Sequence, residues 1–409
     1  MRDIYLDNHA TTRVDPRVVE AMLPWFTDRF ANPGSTTHEA GRLAKEAVEI
    51  ALASIANYFE AEADELIVTS GATESNNLAI FGVANHPRQK RRKIISVATE
   101  HQATLGPLAK LKNQGFEIVL LPVQQHTATT SSDPSTEQDQ AGLIDLQQLE
   151  DSIDETTALV TVMLANNEIG VLQPMQRIAE MCRRFEVPLH TDATQAVGRV
   201  KTSLSELGVN LLSFSAHKFY GPKGIGGLIV RNTSTTTRVS SQIVGGGQQH
   251  NLRSGTLNSP GIIAMAAAIE CLRSDAAKDH AHGLRLRQRL WDRLRAAIPD
   301  LELNGPHWPS DASDPANGIR LANNLNVCFP KVDGQSLMLE IPCLAVSSGS
   351  ACTSAHPEPS HVLRAIGRSE DQARSSIRFG IGRFNTEPEI DEAVNLLVET
   401  YTKLASFVA

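Results

Sequence analysis

The run Ser213-Phe-Ser-Ala-His-Lys-Phe-Tyr-Gly-Pro-Lys-Gly-Ile-Gly-Gly227 places one lysine, Lys218, where an apolar segment gives way to glycines. A lysine amine forms an imine with an aldehyde only when neutral, which requires desolvation or a neighbouring cation. His217, directly before it, is the neighbour that the sequence offers. Upstream, Val187-Pro-Leu-His-Thr-Asp-Ala-Thr-Gln195 carries Asp192 and Gln195 at the end of a second apolar run. A buried carboxylate there keeps a ring nitrogen protonated, and Gln195 can donate to an oxygen on the same ring. A third segment, Glu65-Leu-Ile-Val-Thr-Ser-Gly-Ala-Thr-Glu-Ser-Asn77, opens a helix with small residues. Such a turn offers backbone N–H groups and the positive end of a helix dipole to a phosphate. Ala72 and Thr73 are the expected phosphate contacts, with Ser215 and His217 completing the ring. His101, in Val97-Ala-Thr-Glu-His-Gln102, can stack on a ring face and move protons near neutral pH.

An amine for an aldehyde, a carboxylate for a pyridine nitrogen and a cradle for a phosphate are what pyridoxal phosphate needs. The cradle has neither a GxGxxG nor a Walker sequence, so nucleotide binding lacks its usual warrant. An amino-acid substrate adds a carboxylate, and Arg378, in Ser376-Ile-Arg-Phe379, can grip it through two parallel hydrogen bonds with Asn167 in support. Taken singly, each group has a plainer reading that the residues leave open. Lys218 can be a surface lysine in a glycine turn, Asp192 a helix N-cap, His101 a structural histidine and Arg378 a surface ion pair.

The elements that must position these groups follow from patterning. Short apolar runs at 66–68, 93–98, 116–123, 209–215 and 228–231 read as strands, alternating with helical segments. That alternation predicts an α/β fold with a mostly parallel sheet covered on both faces, with ligands bound at strand ends. A long helical pattern over 260–298 leads into a second unit, with strands at 325–329 and 377–381 and helices at 334–339 and 387–404. The Gln/Thr/Ser/Asp-rich stretch 124–141 reads as a solvated insertion.

Cys352 lies in the small, polar run Val346-Ser-Ser-Gly-Ser-Ala-Cys-Thr-Ser-Ala-His-Pro-Glu-Pro359, where it is expected to be exposed and able to act as a thiolate. Cys182, Cys271, Cys328 and Cys343 lie in apolar surroundings and read as packing residues. No zinc spacing or disulfide framework appears, so no metal is expected. With 409 residues, 41% of them hydrophobic and 21% charged, the chain can build two domains around one site. A net charge of −8 argues against nucleic acid, and the basic run 88–93 reads as a solvated turn. The apolar stretch 262–269 falls short of the ~20 residues a bilayer requires. The amino terminus lacks a signal or transit pattern, so the expected location is the cytoplasm, with no membrane association.

The same residues, in this order, resemble the cysteine desulfurases of the NifS/IscS type in the class V aminotransferase group. The likeness extends through Tyr5-Leu-Asp-Asn-His-Ala-Thr-Thr12, Asn32-Pro-Gly-Ser35, Asn166-Asn-Glu-Ile-Gly170, Gly245-Gly-Gly-Gln248, Arg253-Ser-Gly-Thr-Leu-Asn258, Ser347-Ser-Gly-Ser-Ala-Cys-Thr-Ser354 and Ser375-Ser-Ile-Arg-Phe379. It implies the pyridoxal-phosphate-dependent transferase fold of type I. The large domain would span 14–259, and 1–13 with 260–409 would form a small domain carrying the Cys352 loop. By position it implies that Lys218 bears the cofactor and that Ala72, Thr73, His101, Asn167, Asp192, Gln195, Ser215 and His217 surround it. Thr256 is similar to the threonine that reaches the phosphate from the second subunit of a homodimer. The implied activity removes sulfur from L-cysteine, leaving L-alanine and a persulfide on Cys352. Acceptor proteins, such as iron–sulfur scaffolds or thiolation enzymes, would take that sulfur. A selenocysteine or cysteine/cystine lyase of the same fold is the alternative. His9, Gln249 and Gly380 depart from the family pattern, which commonly has Asn, Glu and Ser there.

Overall fold

The apolar runs become strands, here numbered in chain order: β1 (Ile4–Tyr5), β2 (Leu66–Thr69), β3 (Lys93–Val97), β4 (Glu117–Leu121), β5 (Thr157–Thr161), β6 (Leu189–Asp192), β7 (Leu211–Ser215), β8 (Gly226–Val230), β9 (Glu302–Leu303), β10 (Asn324–Cys328), β11 (Leu344–Ala345) and β12 (Ser376–Gly380). The computed structural model describes residues 3–126, 140–231, 237–307, 319–348 and 358–407. Cys352 and residues 127–139 of the expected insertion therefore lie outside the described residues.

Among the described residues, seven strands form one sheet in the order β2-β8-β7-β6-β5-β3-β4. β8 runs antiparallel to both neighbours, and the other pairs are parallel. The reversal has a simple cause. Only residues 216–225 separate β7 from β8, too few for the crossover that parallel neighbours require. Strands β2, β3, β5, β6, β7 and β8 are buried along their whole length, as expected of a sheet covered on both faces.

Alternate residues of these strands feed two cores. Leu66, Val68, Leu212, Phe214 and Ile229 pack with Ile55 of the helix Glu39–Tyr58. Ile67, Leu211, Leu228 and Val230 pack with Leu78, Ile80 and Leu108 from the helices Ala72–Ala84 and Gln102–Lys112. Each such side chain contributes roughly 1.5–3 kcal/mol by leaving water.

The helix Ser259–Ala297, on the order of 60 Å long at 1.5 Å per residue, serves two cores in succession. Its Ile262, Met265, Ile269 and Leu272 join the first core. Leu286, Leu290 and Leu294, one turn apart, join another built on β10, β12 and the helix Glu387–Ala405. Ile4 and Leu6 belong to that later core, and β1 pairs in parallel with β11. β12, β10 and β9 form an antiparallel sheet in that order. No helix among the described residues is long and apolar enough to cross a membrane.

Arg383 ties the carboxy-terminal region to both ends of the main core. Its guanidinium pairs with Asp15 at 2.7 Å and Asp279 at 2.6 Å, and lies 3.9 Å over the Tyr220 ring. Its N–H donates to the Tyr220 hydroxyl at 2.9 Å. All three charged side chains are largely buried, so removing the cation strands the Asp279 carboxylate and leaves Asp15 to Arg17 alone, 2.8 Å away. Arg383→Met is therefore expected to cost about 3 kcal/mol, read as a lower denaturation midpoint. Arg285→Ala, which breaks an exposed pair with Glu387, is expected to stay within about 0.5 kcal/mol of the parent.

Candidate active site

A single 3-10 turn, Ala216–Lys218, follows β7 and delivers Lys218 at the edge of the sheet. The amino-terminal segment 7–12 crosses this turn. Thr12 donates to the His217 carbonyl through its N–H and its hydroxyl, at 2.9 and 3.0 Å, while its Oγ1 accepts the Tyr220 N–H at 2.8 Å. Lys218 Nζ donates to the carbonyls of His9 and Ala10, the latter at 2.7 Å. Burial first, then the charges of Arg378 and Arg199, lower its pKa to about 7. At pH 7 about half of the amine is neutral, against roughly one in three thousand for an ordinary lysine.

His217 does not supply the cation that the sequence suggested. Burial and the charges of Lys218 and Lys223 push its own pKa down to about 4, so it is neutral, with Nδ1 3.1 Å from Thr11 Oγ1. The two arginines that act instead lie 19 and 160 positions away in the chain and reach the amine only through folding.

Asp192 ends β6, buried. Its Oδ2 accepts from Asn76 Nδ2 at 2.7 Å, and its Oδ1 accepts the Thr194 N–H at 2.9 Å. Turns follow it and no helix starts there, so the N-cap reading fails. Asn76 was missed by the sequence reading. A signal existed: with Ala79, Ile80 and Val83 it shares the inward face of the helix Ala72–Ala84, where a polar residue needs a partner.

His101 caps the helix Gln102–Lys112, its Nδ1 accepting the Ala103 N–H at 3.0 Å. With Nδ1 occupied as an acceptor, the neutral ring carries its proton on Nε2. Burial lowers its pKa, opposed by Asp192, and Lys218 and Arg378 lower it further. The Nε2 of this neutral ring is therefore a donor.

The turn expected to hold a phosphate is shaped by close approach. Gly71 has φ +146°, and a Cβ there would lie 3.4 Å from Ser215 Oγ. A Cβ on Gly226 would lie 2.4 Å from the Phe214 carbonyl oxygen and 2.8 Å from Gly71 Cα. The ends of β2, β7 and β8 thus meet at one point, in the register Thr69 to Gly226 to Ser215. Ala72 and Thr73 open a helix that has no side-chain cap, leaving their N–H groups available.

Gln195 is used within the chain. Its Nε2 donates to the His9 carbonyl at 2.8 Å, and its Oε1 accepts from Arg199 at 2.6 Å and faces His9 Nδ1 at 3.0 Å. Burial holds the His9 pKa well below its usual value, so the ring is neutral and its Nδ1 donates. His9 Nε2 is then a buried acceptor without a partner among the described residues. His9 and Arg199 carried no catalytic signal in the sequence.

Arg378, on β12, is an ion-pair partner, though not at the surface. Its Nη2 lies 2.8 Å from Asp7, with side chains only 8% and 15% exposed, and its Nη1 donates to the Asn167 carbonyl at 3.1 Å. Its Nε is buried without a partner among the described residues. Thr256 is exposed. Its segment is tethered where Arg253 meets Glu74 at 2.9 Å, while Glu74 also accepts the Ser70 N–H at 2.8 Å. Cys182, Cys271 and Cys328 are buried, and Cys343 is half-buried.

Because only the neutral amine reacts, trapping of Lys218 by an aldehyde under reducing conditions should rise through pH 7 and level off above it. Arg378→Met removes a cation, raises the lysine pKa and should move that midpoint upward. Peptide mass spectrometry across a pH series reads both.

Comparison with known proteins places these features in a family. The chain is 46% identical over 401 residues to the cysteine desulfurase IscS of Rickettsia akari (strain Hartford), covering 98% of this chain and 92% of that protein. A solved NifS-like protein superimposes with a TM-score of 0.86 at 33% identity, covering 98% of this chain and all of that one. The structure of SspA in complex with cysteine matches with a TM-score of 0.75 at 31% identity, covering 93% and 99% of the two chains. Residues 4–393 match the family model described as aminotransferase class-V. With that match running through the Lys218 turn, Asp192 and the Gly71 turn alike, this chain belongs to the class-V aminotransferase family.

Proposed function

We propose that this protein is a pyridoxal-phosphate-dependent cysteine desulfurase, which takes sulfur from L-cysteine, releases L-alanine and holds the sulfur as a persulfide on Cys352. The observation that carries the reading is an amine with a pKa of about 7, Lys218, on the same sheet edge as the buried Asp192 carboxylate and the Gly71 turn.

The residues present fit the cofactor. Uncapped N–H groups at Ala72 and Thr73, beside Ser215 and His217, suit a phosphate, and Asp192 suits the pyridine nitrogen. Lys218 suits the aldehyde. His101, Asn167 and Gln195 would line the ring. When bound, the cofactor supplies an electrophilic carbon and a protonated ring that draws electrons from the substrate's Cα.

The chain's own groups do the rest. Lys218, half neutral at pH 7, accepts the proton from Cα and returns protons to carbon. His101 Nε2–H donates toward the reacting atoms. Arg378, steered by Asp7 and the Asn167 carbonyl, aligns the substrate carboxylate. Cys352 Sγ, as thiolate, bonds to the substrate sulfur; the carbon–sulfur bond breaks, and the carbon takes a proton to become the alanine methyl group.

Sulfur-acceptor or iron–sulfur scaffold proteins would dock near Cys352, and a cytoplasmic location is part of the same reading. Thr256, exposed in this chain, would meet the phosphate of a second copy in a two-fold homodimer.

Mass spectrometry after incubation with L-cysteine tests the proposal: the peptide containing Cys352 should gain one sulfur. Cys352→Ala should keep cofactor uptake while abolishing that persulfide, whereas alanine release that survives the change would point to a lyase. Lys218→Ala should lower turnover by roughly 10²–10⁴-fold even with cofactor in excess.

A further inference from the structure

The turn 166–170 holds a carboxylate that the reaction above does not use. Glu168 is buried, and its Oε2 lies 2.5 Å from Ser360 Oγ. Ser360 Oγ accepts the Leu363 N–H at 3.2 Å, capping the helix His361–Ala365. That leaves its hydroxyl proton for Glu168. The neighbouring His361 reaches the Glu100 carbonyl at 2.9 Å, just before His101. Thus the cap and first residue of this helix, eight and nine positions after Cys352, dock onto the two turns that carry Asn167 and His101.

The backbone of turn 166–170 is fixed by other groups. Asn166 Oδ1 accepts the N–H groups of Glu168 and Ile169, and the Glu168 carbonyl accepts from Asn324 and Asn326. The Glu168 side chain is not needed to shape its own turn. Its hydrogen bond joins that turn to Ser360. Burial raises its pKa to about 7, while Ser360 and Arg378 favour the charged form.

We propose that Glu168 is a positioning residue for sulfur transfer: by holding Ser360, it fixes where the chain returning from Cys352 meets the subsite of Asn167 and Arg378. The inference rests on the cysteine desulfurase reading. Its structural half, the anchoring of Ser360, does not.

The test compares holoenzymes of the parent, Glu168→Ala, Glu168→Gln and Ser360→Ala. Three readouts are taken: the rate of sulfur gain on the Cys352 peptide, the apparent affinity for L-cysteine from cofactor absorbance, and amide hydrogen exchange over 358–366. Glu168→Ala and Ser360→Ala should slow sulfur gain by roughly tenfold, keep L-cysteine affinity within about twofold and speed exchange over 358–366. Glu168→Gln keeps an acceptor oxygen and should restore all three. Normal sulfur gain in Glu168→Ala or in Ser360→Ala overturns the proposal. So does a Glu168→Gln as impaired as Glu168→Ala, which would assign the effect to charge on Arg378. Affinity that falls in step with sulfur gain overturns it as well. If the parent gains no sulfur at Cys352, the desulfurase reading falls and takes the chemical role with it. The exchange data still decide whether Glu168 holds Ser360.

Discussion

An amine kept from its charge in a crowd of cations is the constraint on which this site depends. Lys218 is buried within the fields of Arg378 and Arg199, and among the described residues two backbone carbonyls and the Asp7 and Asp192 carboxylates offset them. Those carbonyls belong to His9 and Ala10, so the site exists only when the amino-terminal segment lies across the sheet edge. β1 against β11 holds that segment, as does the exchange of hydrogen bonds between Leu6, Asn8 and Gly380. Chain ends that are often loosely held here complete the chemistry.

Two departures from the family pattern, His9 and Gly380, are neighbours in this arrangement. A Cβ on Gly380 would lie 2.6 Å from the His9 nitrogen and 2.8 Å from its Cδ2. The Asn8 nitrogen would lie 2.9 Å away as well, so the backbone of this segment, with the His9 ring, leaves no room for a side chain at 380. The His9 ring then occupies itself with Gln195, which in turn holds Arg199, one of the cations that keep Lys218 neutral. A change at position 9 is thereby coupled to the amine through two hydrogen bonds.

Existing hydrogen bonds distinguish the polar groups of this site as much as their positions do. Asp192, His101 and Lys218 act on one another electrostatically, yet their roles differ because of what each has already bonded. His101 gives its Nδ1 lone pair to the helix it caps, and Asp192 accepts from Asn76 and Thr194. Lys218, whose pKa is lowered to about 7, is placed to gain and lose a proton at neutral pH.

Much of this was legible in order along the chain. Apolar runs ending in polar residues marked β2, β6 and β7, and the small residues after β2 marked the helix start, because local periodicity and turn chemistry are short-range properties. Asn76 was visible in principle, as a polar residue on an apolar helix face. His9, Arg199 and Asp7 were not, since nothing near them in sequence says what they meet. The reversal of β8 was likewise left open until its pairing was seen. By itself the sequence determined which residues could do imine chemistry and that a parallel sheet would carry them. Only the tertiary structure decided that burial and then two arginines, rather than the adjacent His217, lower the amine's pKa to about 7. Burial and charge act through space, and the groups that supply them are up to 160 positions from Lys218.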